Sequence, residues 1–249
     1  MEEDLKQKLK YLRLNWLLEN FDNYIKQIKD NNISYNRIVT QIISKEFEHK
    51  KELARKARLV KAKIPEYFVI ETYPFSKQPK LKKKLIMNIY DSFNYMKEYQ
   101  NLVFIGPTGC GKTGLATAFL IHAINNGYRG RFIDFSTLIH TLKQSKGEHT
   151  EKKVIKKYIS LDILLIDEIG YDPCSKEQAA MFFEIMRSRH KRATTIITSQ
   201  LGFDEWNKFL PEEHIIAALL DRLTENCTVF NMKNCVSLRQ KNIIHAIDI

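Results

Sequence analysis

Gly106-Pro107-Thr108-Gly109-Cys110-Gly111-Lys112-Thr113 fits the pattern G-x-x-x-x-G-K-[ST]. An apolar run, Leu102-Val103-Phe104-Ile105, precedes it, and a helix-compatible run from Leu115 to Ile124 comes after it. Strand, glycine-rich loop and helix together make a phosphate cradle. Where a Cβ is missing, backbone N–H groups can close around phosphate oxygens. The helix that opens there adds its positive dipole end. In this reading Gly106, Pro107, Thr108, Gly109, Cys110, Gly111, Lys112, Thr113 and Gly114 hold a nucleotide. Lys112 would reach the β- and γ-phosphates, and the Thr113 hydroxyl would ligate Mg²⁺.

Three further strings extend this site. Ile163-Leu164-Leu165-Ile166 is a buried-strand run that ends in Asp167-Glu168. Ligands of open α/β sheets bind at the C-terminal ends of strands. Asp167 would hold Mg²⁺ there, and Glu168 would orient and polarise an attacking water. Paired with the upstream loop, the two acids favour ATP hydrolysis over binding alone. Thr194-Thr195-Ile196-Ile197-Thr198-Ser199-Gln200 is another buried strand with a polar end. In a five-strand core it lies between the first and third strands, which brings Gln200 toward the γ-phosphate; the alternative is a plain polar strand cap. Ala217-Ala218-Leu219-Leu220-Asp221-Arg222-Leu223 is the fourth string. From the residues alone Arg222 is equally an arginine delivered to a neighbour's γ-phosphate and half of a surface Asp–Arg pair.

Outward from these motifs, the pattern alternates strands (102–105, 131–135, 163–166, 194–198, 228–232) with helices, notably Ser175–His190. That alternation predicts a mostly parallel sheet covered on both faces. All nine glycines lie between Gly106 and Gly202. The glycine-free stretch before them reads as helical over residues 4–63, broken at Asp30-Asn31-Asn32, with Ser34 placed to cap a second helix. Leu5, Leu9, Leu12, Leu14, Trp16, Leu17 and Leu18, then Phe21, Tyr24, Ile25 and Ile28, form a helical core stripe. Ile38, Ile42, Ile43 and Phe47 continue it. Pro65, Pro74 and Pro79 break residues 64–80 into a linker. A helix is expected from Leu81 to Glu98. The division is then 1–63 helical, 64–80 linker and 81–249 ATPase body.

The 249 residues are 44% hydrophobic, which supports a packed core and excludes a disordered chain. The net charge is +11. Residues 1–100 hold 21 of the 40 Lys and Arg but 13 of the 29 Asp and Glu, so the excess sits mainly there. Such a surplus suits a polyanion, nucleic acid first. Lys50, Lys51, Arg55 and Arg58 are the candidate DNA contacts in that half, and Lys152, Lys153 and Lys156 in the other; a solvated helix face weighs evenly against each. The four cysteines, Cys110, Cys174, Cys227 and Cys235, have no zinc spacing and read as free thiols of a reducing cytosol. The acidic start Met1-Glu2-Glu3-Asp4 and the lack of a long apolar run predict a cytoplasmic protein with no membrane partner.

Together these strings resemble the AAA+ ATPases, and within them the IstB family of transposition helper ATPases, relatives of the DnaC/DnaI helicase loaders. Leu9-Lys10-Tyr11-Leu12-Arg13-Leu14 resembles that family's opening "LKYLKL", and Lys61-Ala62-Lys63-Ile64-Pro65 its "RAARFP". Asp167-Glu168-Ile169-Gly170-Tyr171 resembles "DELGY", and Ala218-Leu219-Leu220-Asp221-Arg222-Leu223 resembles "ALLDRL". The resemblance implies an AAA+ P-loop core, a five-stranded mostly parallel sheet between helices, behind a small all-helical domain. It implies Walker A at Gly106–Thr113, Walker B at Asp167 and Glu168, and a sensor-1 residue at Gln200, where the family has asparagine. It implies an arginine finger acting in trans at Arg222, hence a homo-oligomer. Arg239 matches sensor 2, with Asn234 near the place of the usual glycine. ATP and Mg²⁺, double-stranded DNA and a cognate transposase are the implied cofactors and partners. A helicase loader is the alternative on the same core.

Overall fold

The computed structural model describes residues 1–31 and 33–239. Asn32 of the expected break and residues 240–249 of the expected C-terminal body lie outside them. The chain divides into two compact units, Met1–Arg58 and the remainder from Leu59 onward.

The first unit is helical. It contains α1 (Glu3–Tyr11), α2 (Asn15–Asn31) and most of α3 (Tyr35–Ala62). The stripe expected through Leu12 and Leu14 is interrupted: Arg13 takes φ 56° and ends the first helix. Leu9, Leu17 and Tyr24 form the buried centre, with Ile38 and Ile42 against it. Ile43 and Phe47, expected in that core, are 64% and 61% exposed. The reason is phase. Positions 38, 42 and 46 share one face of α3, whereas 39, 43 and 47 lie on the next. The inward face ends not in an apolar residue but in Glu46, 5% exposed. Its carboxylate accepts the Asn15 and Leu17 N–H groups at 3.0 and 3.3 Å, which caps α2 from another helix.

The second unit holds a five-stranded parallel sheet, ordered β2-β3-β4-β1-β5. The strands are β1 (Asn101–Ile105), β2 (Gly130–Asp134), β3 (Ile163–Ile169), β4 (Thr194–Ser199) and β5 (Cys227–Asn231). The run read as a third strand therefore continues past the two acids to Ile169. Alternate residues serve opposite faces. Val103, Ile105, Leu164 and Ile166 enter one core with α7 (Phe135–Gly147), α8 (Glu151–Ile159), α9 (Lys176–Arg189) and α10 (Glu213–Thr224). Leu102, Phe104, Ile163 and Leu165 enter the other with α6 (Lys112–Asn125). Ser175 and Gln178 form the capping box that starts α9.

The helix expected over 81–98 is two helices, α4 (Lys83–Ser92) and α5 (Asn94–Lys97), separated by Phe93 at φ 58°. Residues 64–80, expected as a linker, fold onto the larger unit. Short 3-10 turns at Ile70–Thr72 and Phe75–Lys77 bury Ile70 and Tyr73 in the α6-side core. The prolines stop a long helix there without stopping the segment from packing. Among the described residues no helix is long and apolar enough to cross a membrane.

Arg189, 1% exposed at the end of α9, ties several elements together. Its guanidinium donates to the Tyr158, Leu161 and Thr194 carbonyls and to Thr195 Oγ1. Arg189→Met keeps much of the volume but leaves buried carbonyls without a donor. We expect a loss of roughly 3 kcal/mol and a Tm lower by about 6–12 °C in thermal unfolding. An unchanged Tm would mean that these carbonyls find other donors.

Candidate nucleotide site

The strand order brings three C-terminal strand ends side by side: β3, β4 and β1. The loop after β1 wraps into α6 with Gly109 at φ 79° and Gly111 at φ 90°. A Cβ on Gly111 would sit 2.6 Å from the Tyr73 ring, and one on Gly109 2.5 Å from Ser237 Oγ. Glycine is required there by both backbone and space. Inside the loop, Lys112 is 7% exposed and donates to the Gly106 and Pro107 carbonyls, each at 2.8 Å.

The loop is held from outside by groups that its own sequence does not contain. The Tyr73 hydroxyl donates to the Cys110 carbonyl at 2.8 Å. The Leu238 N–H donates to the Gly109 carbonyl at 2.8 Å. Gln78, 1% exposed, exchanges two hydrogen bonds with the Val236 backbone, which pins the strand of chain that reaches Leu238. On the sheet side, the Gly106 N–H donates to the Ser199 carbonyl at 3.1 Å.

Asp167 ends the straight part of β3 and is 6% exposed. The Thr113 hydroxyl donates to its two oxygens at 3.0 and 3.2 Å, and the Thr198 hydroxyl donates to Oδ1. Glu168 takes φ 57°, a left-handed conformation, and its side chain is exposed. Thr108, Gly109, Gly111, Lys112, Thr113, Glu168, Gln200 and Arg239 line one cavity of about 150 Å³.

Burial pushes the Asp167 carboxyl above its usual range, the hydrogen bonds from Thr198 and Thr113 pull it back, and Glu168 adds to the rise. Burial pulls the Lys112 ammonium below its usual value. Each is thus a buried charge that a complementary ion would relieve. A phosphate chain suits Lys112, and a divalent cation beside the hard oxygens of Thr113 and Asp167 suits the acid. The glycine cradle and this donor set fit Mg²⁺ and a nucleoside triphosphate.

The structure thus brings Gly109, Gly111, Lys112, Thr113, Glu168, Gln200 and Arg239 together, with Asp167 directly behind Thr113. Arg222 lies elsewhere, on α10. Its guanidinium stands over the Phe183 ring at 5.3 Å and donates to the Ala218 carbonyl at 2.6 Å. Of the basic candidates, Lys50, Lys51, Arg55 and Arg58 are on α3, and Arg55 pairs with Glu52 at 2.7 Å. Lys152, Lys153 and Lys156 are exposed on α8. Tyr73, Gln78 and Thr198 were missed as site residues. Thr198 alone carried a signal, lying in the polar strand end already singled out, where the longer amide of Gln200 drew the reading.

Known proteins resemble this chain along the same lines. A protein of Pseudomonas aeruginosa named for insertion sequence IS21 and for ATP binding is 27% identical over 230 residues, 92% of this chain and 86% of the relative. One of Geobacillus stearothermophilus, named likewise for IS5376, is 27% identical over 98% of this chain and 97% of its own length. The fold is shared with DnaI, at TM-score 0.52 and 18% identity over 59% of this chain and 81% of that one. It is shared also with DnaA of Aquifex aeolicus, at TM-score 0.57 and 16% identity over 70% and 52%. The family model described as IstB-like ATP binding protein matches residues 7–246, so the chain, an AAA+ P-loop protein in fold, belongs to that family.

Proposed function

We propose that this protein is an ATP-hydrolysing, DNA-binding helper of a transposase. The observation that carries the reading is the set Lys112, Thr113 and Glu168 lining one cavity, with Asp167 buried behind Thr113 and accepting its hydroxyl. The names of the insertion-sequence relatives support the biological setting.

In this reading the glycine loop and Lys112 bind the β- and γ-phosphates. Thr113 and Asp167 hold Mg²⁺, which supplies Lewis-acid stabilisation of phosphate charge. Glu168 orients a water and takes up its proton. Gln200 and Arg239, on the same cavity, contact the γ-phosphate side. Arg222 acts on the site of a neighbouring copy, in keeping with its position outside its own cavity. ATP then bridges subunits into an assembly on double-stranded DNA, and hydrolysis disassembles or remodels it. We assign DNA and oligomer contacts to residues 1–63 and ATP chemistry to the body after residue 80.

The experiment is ATP turnover with and without double-stranded DNA, with particle size measured in both conditions. DNA-stimulated turnover and ATP-dependent large assemblies that Arg222→Ala abolishes are expected. A persistent monomer whose turnover ignores DNA would overturn the reading.

The lysines of α8 give a separate test. Among the described residues Lys152, Lys153 and Lys156 have no ion-pair partner, unlike Arg55. Replacing all three with Ala should weaken DNA binding. It should also flatten the dependence of log affinity on log salt by about 2.7, because each phosphate contact contributes about 0.9. ATP affinity should stay within about threefold. An unchanged slope would remove α8 from the interface.

A further inference from the structure

The register between β3 and β4 is regular from Ile163↔Thr194 to Ile166↔Ile197 and resumes at Ile169↔Ser199. Between those points two residues of β3 after Ile166, Asp167 and Glu168, face the single residue Thr198 of β4. This is a bulge at the point where the two acids stand, and bulges re-aim side chains beside functional sites. A regular strand would send Asp167 and Glu168 to opposite faces of the sheet. The left-handed Glu168, a conformation that non-glycine residues rarely adopt, breaks that alternation.

Something must hold that conformation. Thr198 is fully buried, and its hydroxyl is engaged on both sides. It accepts the Glu168 N–H at 2.9 Å and donates to Asp167 Oδ1. Asp167 in turn receives the Thr113 hydroxyl from the phosphate loop. One oxygen therefore orients the backbone of one acid and the carboxylate of the other. The next residue continues the latch. Ser199 gives its carbonyl to the Gly106 N–H and its hydroxyl to the Ile169 carbonyl, at 3.1 and 2.9 Å. The end of β4 is thereby tied to the phosphate loop on one side and to the end of the bulge on the other.

We propose that Thr198 is a positioning residue: its hydroxyl holds Glu168 in the left-handed bulge and turns the Asp167 carboxylate toward Thr113, so that the water-activating and metal-holding acids act at one cavity. The proposal rests on the ATPase reading above. Gln200, two residues on, lines the cavity itself; Thr198 acts only through the acids.

The test compares Thr198→Val, which keeps the shape and removes the hydroxyl, with Thr198→Ser, which keeps the hydroxyl. Two quantities are read on the full chain: steady-state MgATP turnover, and the Mg²⁺ concentration that half-saturates binding of a fluorescent ATP analogue. Thr198→Val is expected to lower turnover by about 10–100-fold, the loss that comes from removing one partner of buried hydrogen bonds. It should raise the Mg²⁺ half-saturation by about tenfold and leave Mg²⁺-free nucleotide affinity within about threefold. Thr198→Ser should recover both within about threefold.

Wild-type values for Thr198→Val would overturn the proposal. So would a loss of Mg²⁺-free affinity that Thr198→Ser fails to recover, since that is the pattern of damaged packing. If Thr198→Val does not fold, Thr198→Ser and Thr198→Cys decide. Cysteine, a weak donor and acceptor, should fall well below serine in Mg²⁺ sensitivity, and equality of the two sinks the idea. A wild-type protein that binds MgATP without turning it over refutes the hydrolysis reading alone, and the Mg²⁺ half-saturation then decides Thr198 by itself.

Discussion

Lys112→Ala is expected to weaken ATP binding by roughly 100-fold or more. The ammonium is 7% exposed, and its two acceptors are the carbonyls of Gly106 and Pro107 in the loop itself. Two effects add. A charge-assisted hydrogen bond to phosphate contributes about 1.5–3 kcal/mol, and more than one is lost. The loop also loses the cross-brace that keeps its carbonyls turned inward, away from the face that offers N–H groups. Lys112→Arg should fail nearly as badly, because a longer planar fork cannot place one point charge within 2.8 Å of both loop carbonyls. Titration with a fluorescent ATP analogue checks both variants, and a melting curve without nucleotide separates loss of binding from loss of fold. Affinity within about threefold of wild type for Lys112→Ala would show that the glycine cradle binds by its backbone alone.

The second large effect separates binding from chemistry. Glu168→Gln should lower ATP turnover by about 100- to 10,000-fold, the range for removal of a general base. Nucleotide affinity should remain within about threefold. The Glu168 side chain lines the cavity but makes no hydrogen bond to another described residue, so its neutral isostere disturbs no contact. Its backbone N–H, held by Thr198, is unaffected. Asp167→Asn should behave differently. It removes the charge that receives Thr113 and Thr198, so Mg²⁺-dependent binding should fall along with turnover. Rapid-quench turnover beside equilibrium binding distinguishes the two acids. If Glu168→Gln turns over at the wild-type rate, another group activates the water and Glu168 is not the base.

Much of the fold was legible in order of appearance. Short apolar runs bounded by polar ends marked the strands within a few residues, and the glycine loop and the two acids marked the strand ends that meet beside the cavity. What misled was phase and continuity. Ile43 and Phe47 are apolar at spacing close to helical, yet Glu46 occupies the inward face because two unpaired N–H groups at the start of α2 need an acceptor. Prolines at 65, 74 and 79 suggested a spacer, because proline reports on local backbone and not on whether Ile70 and Tyr73 find a core. The break at Phe93 has no glycine or proline to announce it.

The sequence by itself determined the chemistry-bearing parts: a phosphate loop after a strand, two acids after another, a polar end on a third. Those signals are local, carried by neighbours along the chain and by the periods of strand and helix. Only the tertiary structure decided how the parts become one site. The sheet order sets β4 between β1 and β3, and Thr198 meets Asp167 across 31 residues of sequence. Gln78 meets Val236 across 158. Contacts of that separation have no short-range pattern; they exist because close packing and the need to pair every buried polar group leave few places for each hydroxyl, amide and carbonyl to go.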